Sequence, residues 1–489
     1  TMGQGGFQEV EQMNLFKDMV CYQEEVRDPS RMAEVLNRVI EKAFRGSAPA
    51  QINVPRDYWT QVIDIELPPI VRFERQGGGK EAIENAAELL SKAKFPVILS
   101  GAGVVLGGAI DECKKLAEKL DAPVCNGYQH NDSFPGSHPL AVGPLGYNGS
   151  KAAMELISKA DVVLALGTRL NPFSTLPGYG IDYWPKKATI IQVDMNPDRI
   201  GLTKKVSVGI CGDAKQVAQQ ILDKLSSDAG NTGREERKNL IHKTKSAWLQ
   251  TLSGLDHEED DPGTVWNKEA RERDKDRMSP RQAWRAIQDA LPQDAIISSD
   301  IGNNCAIGNA YPTFEKPRKY LAPGLFGPCG YGFPAILGAK IGCPDTPVVG
   351  FAGDGAFGIS MNEMSSCARE EWPAITMVIF RNYQWGAEKR NSILWFDDNF
   401  VGTELDPELS YAKVANACGL KGVTCKTMEE TTKAIKQSCE EQKKGITTFI
   451  EIILNQELGE PFRRDAMKKP VKVAGIKKED MKKQPSLIS

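Results

Sequence analysis

The chain has 489 residues, of which 41% are hydrophobic and 26% charged, and its formal net charge is -3. This mixture is typical of a globular protein of about three domains and excludes a disordered, collagen-like or coiled-coil chain. The near balance of charge predicts no nucleic-acid or membrane partner, and no run reaches the about 18 apolar residues of a membrane span. Eleven scattered cysteines without a CxxC pair predict reduced thiols in a cytoplasm.

The first 66 residues carry too little apolar structure to fold alone. They contain one amphipathic helix, predicted over 29–44, and one short strand, predicted over 50–54. A single helix and strand cannot bury a core of their own. We therefore expect this segment either to pack on the rest of the protein or to close a larger domain. Three glycines at 77–79 indicate a linker.

Residues 80–225 alternate between continuous apolar runs and helical patterns. Strands are predicted over 96–100, 122–126, 162–166, 189–193 and 206–210, and helices over 82–93, 109–120 and 214–225. Apolar strands of this kind are typical of parallel sheets that are buried on both faces. Residues 226–275 are more polar and predict a connector, with a helix over 234–252 and an acidic loop over 257–263.

The same alternation returns over residues 276–458. Ser279-Pro280 predicts the N-cap and first residue of a helix, and a Lys-rich arm is predicted over 459–489. Strands are predicted over 295–299, 348–352, 375–380 and 447–454. The predicted fold class is α/β, with parallel sheets covered by helices on both faces and several such domains in tandem.

An acidic residue stands between two glycines directly after the strand over 348–352, in Gly353-Asp354-Gly355, and a helical pattern over 360–369 follows. Open α/β sheets bind ligands at this end of their strands, and glycines allow the backbone to approach a phosphate. A carboxylate there would repel a diphosphate unless Mg²⁺ bridged the two. Asn382 ends the next strand and could offer a second oxygen ligand. Alone, the first motif is more typical of a tight turn.

This pairing resembles the cofactor motif of the thiamine-diphosphate-dependent enzymes. The resemblance implies that Mg²⁺ is bound by the side chains of Asp354 and Asn382 and by the backbone carbonyl of Gln384. Arg381 stands where the family often has another asparagine, which we interpret as a minor departure. The implied contacts to thiamine diphosphate at these two strand ends are Gly353, Asp354, Gly355, Ala356, Asn382 and Gln384.

Two further segments resemble the same family. Residues 327–335 resemble its Gly-x-Met-Gly-Phe-Gly-Leu-Pro-Ala stretch, in which Cys329 takes the position of the apolar side chain that supports the bent cofactor. Residues 299–304 resemble its Asp-x-Gly-Gln-His stretch, which implies that Asn303 and Asn304 contact the diphosphate. The alternatives are a glycine-rich turn with a buried thiol and ordinary asparagine loop chemistry.

The family's domain order implies three parts in this chain. Residues 1–66 correspond to the C-terminal remainder of the pyrimidine-binding domain, 80–225 to the central domain and 276–458 to the diphosphate-binding domain. The family's activating glutamate lies upstream of the region matched here, so no catalytic residue is predicted, and Glu9 is not assigned to that role. We therefore expect an incomplete copy with little turnover. Family active sites form between subunits, which implies a homodimer or tetramer.

Four segments, at 3–12, 173–184, 382–391 and 459–466, resemble an acyltransferase branch of the family. That branch converts sulfoacetaldehyde and phosphate to acetyl phosphate and sulfite. Because both substrates are small anions, the candidate ligands are cationic or amide side chains, although each could equally be an ordinary surface group. These candidates are Gln8, Lys389, Arg390, Arg463 and Arg464.

Two alternative functions stay open at this point. The first is another lyase or decarboxylase of the acetolactate synthase-like group. The second is a non-catalytic protein that holds thiamine diphosphate and Mg²⁺ without turning over a substrate. The Gly101-Ala102-Gly103 loop of the central domain is too short a signal to predict FAD.

Overall fold

A computed structural model describes residues 3–69, 74–146, 148–254, 272–369, 371–396 and 399–458. The chain divides into two compact units, one of residues 1–76 with 195–199 and the other of residues 77–194 with 200–489. The predicted acidic loop over 257–263 and the predicted arm over 459–489 lie outside the described residues. Among the helices that are described, none combines the length and the apolar character needed to span a membrane.

The first unit contains a parallel two-stranded sheet. Its helices and strands are α1 (Gln12–Phe16), β1 (Tyr22–Glu25), α2 (Met32–Gly46) and β2 (Ala50–Asn53). β1 pairs with β2 in parallel, and α2 makes the crossover between them. Val35 and Val39 of α2 pack on Val26 to form its small buried cluster. The sequence analysis missed β1, because its residues Tyr-Gln-Glu-Glu lack an apolar alternation and the strand depends on pairing with β2.

The second unit begins with a six-stranded parallel sheet. Its strands are β3 (Pro96–Ser100), β4 (Val124–Gly127), β5 (Ala141–Leu145), β6 (Val162–Leu166), β7 (Thr189–Asp194) and β8 (Val208–Cys211). Its helices are α3 (Lys80–Lys92), α4 (Ala102–Gly107), α5 (Ile110–Leu120), α6 (Lys151–Ile157), α7 (Ala214–Lys224) and α8 (Arg234–Gly254). The strand order is β5-β4-β3-β6-β7-β8. β5 was not predicted from the sequence, because Gly143 and Pro144 interrupt its apolar pattern.

A second six-stranded parallel sheet follows. Its strands are β9 (Ile296–Ser299), β10 (Tyr320–Leu321), β11 (Val348–Gly353), β12 (Thr376–Arg381), β13 (Lys421–Cys425) and β14 (Thr448–Ile453). Its helices are α9 (Pro280–Gln288), α10 (Asn303–Ile307), α11 (Gly332–Gly342), α12 (Asp354–Ser360), α13 (Met364–Cys367), α14 (Gly386–Trp395), α15 (Tyr411–Ala417) and α16 (Met428–Gln442). The strand order is β10-β9-β11-β12-β14-β13.

Both faces of this second sheet are buried, as the apolar strands predicted. Phe351 of β11 packs with Trp284 of α9 in the cluster on one face. Ala352, the next residue, belongs with Phe333 of α11 to the cluster on the other face. Successive residues of a strand point to opposite faces, so a strand covered on both sides needs apolar residues at every position. The α/β fold class with helices on both faces is therefore confirmed, while the exact domain boundaries stay a prediction.

The strand order of this sheet reverses between β9 and β11. β9 leads to β10 on one side, whereas β11 begins the half that continues through β12 to β14. In open α/β sheets the carboxyl ends of the strands at such a reversal border the ligand-binding crevice. The helix after β11 also begins earlier than the pattern over 360–369 predicted. Gly353 is its N-cap, so Asp354 lies in the first turn of α12.

Candidate active site

Asp354 lies at the carboxyl end of β11 and is only 1% exposed. Its Oδ1 accepts a hydrogen bond from the Gly355 N–H at 3.0 Å. Its Oδ2 accepts from the Tyr383 N–H at 2.6 Å and from Nη1 of Arg381 at 3.0 Å. Burial raises the pKa of Asp354 to about 6, although Arg381 and these N–H groups act to lower it. A divalent cation bound beside this carboxylate would favour its ionised form.

The chain turns sharply after β12, next to Asp354. Tyr383 has a φ of 62°, a left-handed conformation that is costly for an aromatic residue. The turn points the Tyr383 N–H at Asp354 and buries Asn382 and Gln384 on either side. Since β11 and β12 are neighbouring parallel strands, their ends bring the three predicted metal ligands to one edge of the sheet.

The backbone of Gln384 is oriented by a short antiparallel pairing. Gln384 forms a bridge with Glu404, and the Trp385 N–H donates to the Thr403 carbonyl at 2.7 Å. In a pairing whose hydrogen bonds are made by the flanking residues, the central N–H and C=O point away from the partner. The Gln384 carbonyl is thus directed away from Glu404. Its side-chain Oε1 is buried and has no hydrogen-bond partner within the described ranges, while Nε2 donates to the Gln456 carbonyl.

Asp300, at the end of β9, organises the glycine-rich loop before α11. Its carboxylate accepts hydrogen bonds from the N–H groups of Ile301 at 2.8 Å, Gly330 at 3.1 Å and Gly332 at 2.6 Å. Asp300 is buried, and desolvation raises its pKa. The sequence analysis did not name Asp300 as a site residue. Its position at a strand end beside the ligand crevice is the signal that could have found it.

Asn303 and Asn304 open α10 and are both buried. Nε1 of Trp284 donates to the Asn304 backbone carbonyl at 2.6 Å, which ties this turn to α9. Oδ1 of Asn304 is buried and has no partner in the described part of the chain. A Cβ added to Gly386 would lie 3.3 Å from Nδ2 of Asn303, so this asparagine reaches the segment after β12. Asn303 therefore lies near the segment that follows β12, and the contacts of both asparagines to the diphosphate stay predictions.

The second glycine of the Gly-Asp-Gly motif lies against an indole ring. A Cβ added to Gly355 would stand 2.8 to 2.9 Å from ring atoms of Trp385, so only glycine allows this packing. Ala356, which follows, is buried in α12. Trp385 also borders a cavity of about 380 Å³, whose other lining residues include Glu388, Asn391, Ser392, Phe396 and Thr403.

Cys329 lies on the loop that Asp300 holds. Its thiol is unpaired and the residue is exposed, so the alternative of a buried thiol in a turn is wrong. A Cβ added to the neighbouring Gly330, whose φ is 86°, would lie 3.1 Å from Cγ2 of Ile359. The loop is therefore placed close to α12, and the role of Cys329 as a support for the cofactor stays a prediction.

Two of the five candidate substrate ligands are buried side chains. Lys389 is buried, and its Nζ donates to Oε1 of Gln456 at 3.0 Å and pairs with Glu404. Arg390 is buried as well. Gln8 belongs to the first unit, whereas Arg463 and Arg464 lie outside the described residues. The charge of Lys389 is thus already balanced within the protein, and all five assignments stay predictions.

Two family models match this chain. Residues 83–221 match the family described as "Thiamine pyrophosphate enzyme, central domain", and residues 300–452 match "Thiamine pyrophosphate enzyme, C-terminal TPP binding domain". Thiamine pyrophosphate and thiamine diphosphate are the same compound.

Three relatives show how specific the likeness is. Over 99% of this chain, 78% of residues are identical with a probable sulfoacetaldehyde acetyltransferase of Rhizobium meliloti (strain 1021), of which 82% is covered. The sulfoacetaldehyde acetyltransferase of Roseovarius nubinhibens is 76% identical over 99% of this chain and 80% of its own length. A probable acetolactate synthase large subunit of Methanocaldococcus jannaschii is 28% identical over 89% of this chain and 72% of its own length. The chain therefore belongs to the sulfoacetaldehyde acetyltransferase group of the thiamine-diphosphate-dependent enzymes.

Proposed function

We propose that this protein uses thiamine diphosphate and Mg²⁺ to convert sulfoacetaldehyde and phosphate to acetyl phosphate and sulfite. The observation that carries the proposal is the meeting of Asp354, Asn382 and Gln384 at the ends of β11 and β12, in a chain 68% to 78% identical with three relatives of that name. Acetolactate synthases share only 27% to 28% of residues, which favours the acetyltransferase over that alternative.

The donor atoms at this crevice fit a hard divalent cation. Mg²⁺ prefers carboxylate, amide and carbonyl oxygens, and it combines one or two carboxylates with phosphate oxygens. Asp354 is buried, desolvation raises its pKa, and Oε1 of Gln384 lacks a partner among the residues described. We assign Mg²⁺ to Asp354, Asn382 and the Gln384 carbonyl. We assign the diphosphate to Gly353, Gly355 and Ala356, together with Asn303 and Asn304.

The residues of this chain would hold and orient the cofactor. Bound thiamine diphosphate supplies a nucleophilic carbon, which no protein side chain can replace in acyl chemistry of this kind. The hydroxyl of Tyr411 donates to the Asp354 backbone carbonyl at 2.9 Å and so fixes the first turn of α12. Asp300 fixes the loop that carries Cys329. Trp385 packs on Gly355, the residue after Asp354.

The polar groups behind Gln384 form a hydrogen-bond network in which Lys389 and Gln456 are buried and Glu404 is exposed. Gln456 donates through Nε2 to Oε2 of Glu404 at 3.1 Å and accepts from Lys389. Its backbone carbonyl accepts from Gln384. These contacts connect Lys389 to Gln384 through Gln456. We infer that Lys389 acts on the reaction through this network rather than by direct contact with an anionic substrate.

The surroundings of the enzyme are also part of the proposal. All eleven cysteines lie in the described part of the chain and none of them forms a disulfide there, which supports a reducing compartment such as the cytoplasm. We propose that the protein self-associates into a dimer or tetramer, as the family's active sites require.

The activity test measures the two products, sulfite and acetyl phosphate. With thiamine diphosphate, Mg²⁺, phosphate and sulfoacetaldehyde, the proposed reaction releases sulfite and acetyl phosphate in equal amounts. Both products are measured in a coupled assay, and omission of phosphate should abolish acetyl phosphate formation. Release of carbon dioxide from pyruvate without sulfite would support an acetolactate synthase-like enzyme. Binding of the cofactor without either product would support a non-catalytic protein.

A further inference from the structure

Arg381 is fully buried at the end of β12, directly beside the proposed metal site. Its Nη1 donates to Oδ2 of Asp354 at 3.0 Å. Its Nη2 donates to the backbone carbonyls of Leu409, at 2.9 Å, and of Asp406. Its Nε lies 3.7 Å from Oε1 of Glu451 on β14. The guanidinium is thus held between two carboxylates and two carbonyls.

Two aromatic rings lie close to this guanidinium. Its central carbon lies 4.2 Å from the ring centroid of Tyr383 and 5.4 Å from that of Tyr411. Glu451, the second counter-charge, is itself held by Oγ of Ser410 at 2.7 Å and by the Tyr411 N–H at 3.2 Å. A buried, stacked and multiply bonded arginine cannot swing away when a ligand arrives. Arg381 is therefore a permanent partner of Asp354.

Arg381 helps to occupy one of the two carboxylate oxygens of Asp354. Oδ2 of Asp354 accepts from Arg381 and from the Tyr383 N–H, which together occupy both of its lone pairs. Oδ1 accepts only the Gly355 N–H among the described residues, so one lone pair remains. Asp354 can therefore offer a metal ion one oxygen but not both.

We propose that Arg381 is a positioning residue that restricts Asp354 to one-oxygen coordination and thereby favours Mg²⁺ over Ca²⁺. The inference rests on the proposed cofactor site. Mg²⁺ requires near-octahedral geometry with short bonds, whereas Ca²⁺ takes more ligands and readily accepts both oxygens of a carboxylate. The positive charge of Arg381 also opposes any cation at this place, so the selectivity comes with a lower affinity for both ions.

The test compares the two metals in wild type and in Arg381→Met, which removes both charge and donors. MgCl₂ or CaCl₂ is titrated in the presence of thiamine diphosphate, and binding is measured by isothermal titration calorimetry. We expect the ratio of Mg²⁺ to Ca²⁺ affinity to fall roughly tenfold in the variant, the lower end of effects seen when a residue that orients a metal ligand is lost. Most of the change should be tighter Ca²⁺ binding.

A second variant covers the case in which Arg381→Met does not fold. Arg381→Lys keeps the buried charge but loses the rigid fork, so the metal ratio should again fall. Arg369→Met, at an exposed arginine of the same sheet domain, is the control and should keep the wild-type ratio. An unchanged ratio in the folded Arg381 variants, or an equal shift for both metals, would overturn the inference. If wild type bound neither metal with thiamine diphosphate, the proposed function itself would fail.

Discussion

Replacement of Asp354 by asparagine should abolish Mg²⁺-dependent binding of thiamine diphosphate, with an affinity loss of roughly 100-fold or more, the upper end for residues around a metal site. The amide keeps the size of the side chain but removes the charge that the cation neutralises. Arg381 would lose the carboxylate that it contacts at 3.0 Å. Loss of a buried ionic partner should also lower the free energy of unfolding by about 3 kcal/mol. Isothermal titration calorimetry and chemical denaturation measure the two effects.

The matched control for this change lies at the other end of the same strand segment. Asp345 precedes β11 and is exposed, so Asp345→Asn should leave both cofactor affinity and stability unchanged. Equal affinity for Mg²⁺ and thiamine diphosphate in Asp354→Asn and wild type would show that the metal site has been assigned to the wrong strand end.

Replacement of Gly332 by alanine should damage both the fold and the cofactor site. The new Cβ would lie 2.8 Å from the Phe351 carbonyl oxygen on β11 and 3.2 Å from Oδ2 of Asp300. Since the strand backbone cannot move aside, α11 must shift outward and weaken the hydrogen bonds that Asp300 makes to the glycine-rich loop. We expect the free energy of unfolding to fall by about 1–3 kcal/mol. Thermal unfolding with and without cofactor measures the loss.

Gly338 offers a control within the same helix. A Cβ added there would meet no atom within 4 Å, so Gly338→Ala should leave stability unchanged or raise it by up to about 1 kcal/mol through better helix propensity. If the two alanine variants unfolded at the same temperature and bound the cofactor equally well, the close approach of α11 to β11 would not be a constraint in solution.

Much of the second sheet could be predicted because its signal is local. The strands β9, β11, β12 and β14 were predicted within one residue at each end, since each is a continuous apolar run. β13 was missed, because it lies at the edge of the sheet and only its last residue, Cys425, is buried. An edge strand can be polar, and its position then depends on the neighbour with which it pairs.

At the cofactor site, too, some features could be predicted from the local sequence and others could not. The Gly-Asp-Gly turn and Asn382 could be recognised because each follows an apolar strand directly. Arg381 looked like a minor departure from the family pattern, yet the structure places it against the carboxylate of Asp354. Lys389 looked like a substrate ligand, yet Glu404 already balances its charge. Both outcomes depend on residues that are distant along the chain.

The amino-acid sequence by itself determined the α/β class, the order of the apolar strands and the oxygen-bearing residues at their carboxyl ends, because these are written in short runs of neighbouring residues. Only the tertiary structure decided which groups face one another across those ends. It placed Arg381 on Asp354, Asp300 under the glycine-rich loop and Trp385 against Gly355. Those contacts arise when parallel strands align their ends at one sheet edge, a long-range arrangement that no local pattern specifies.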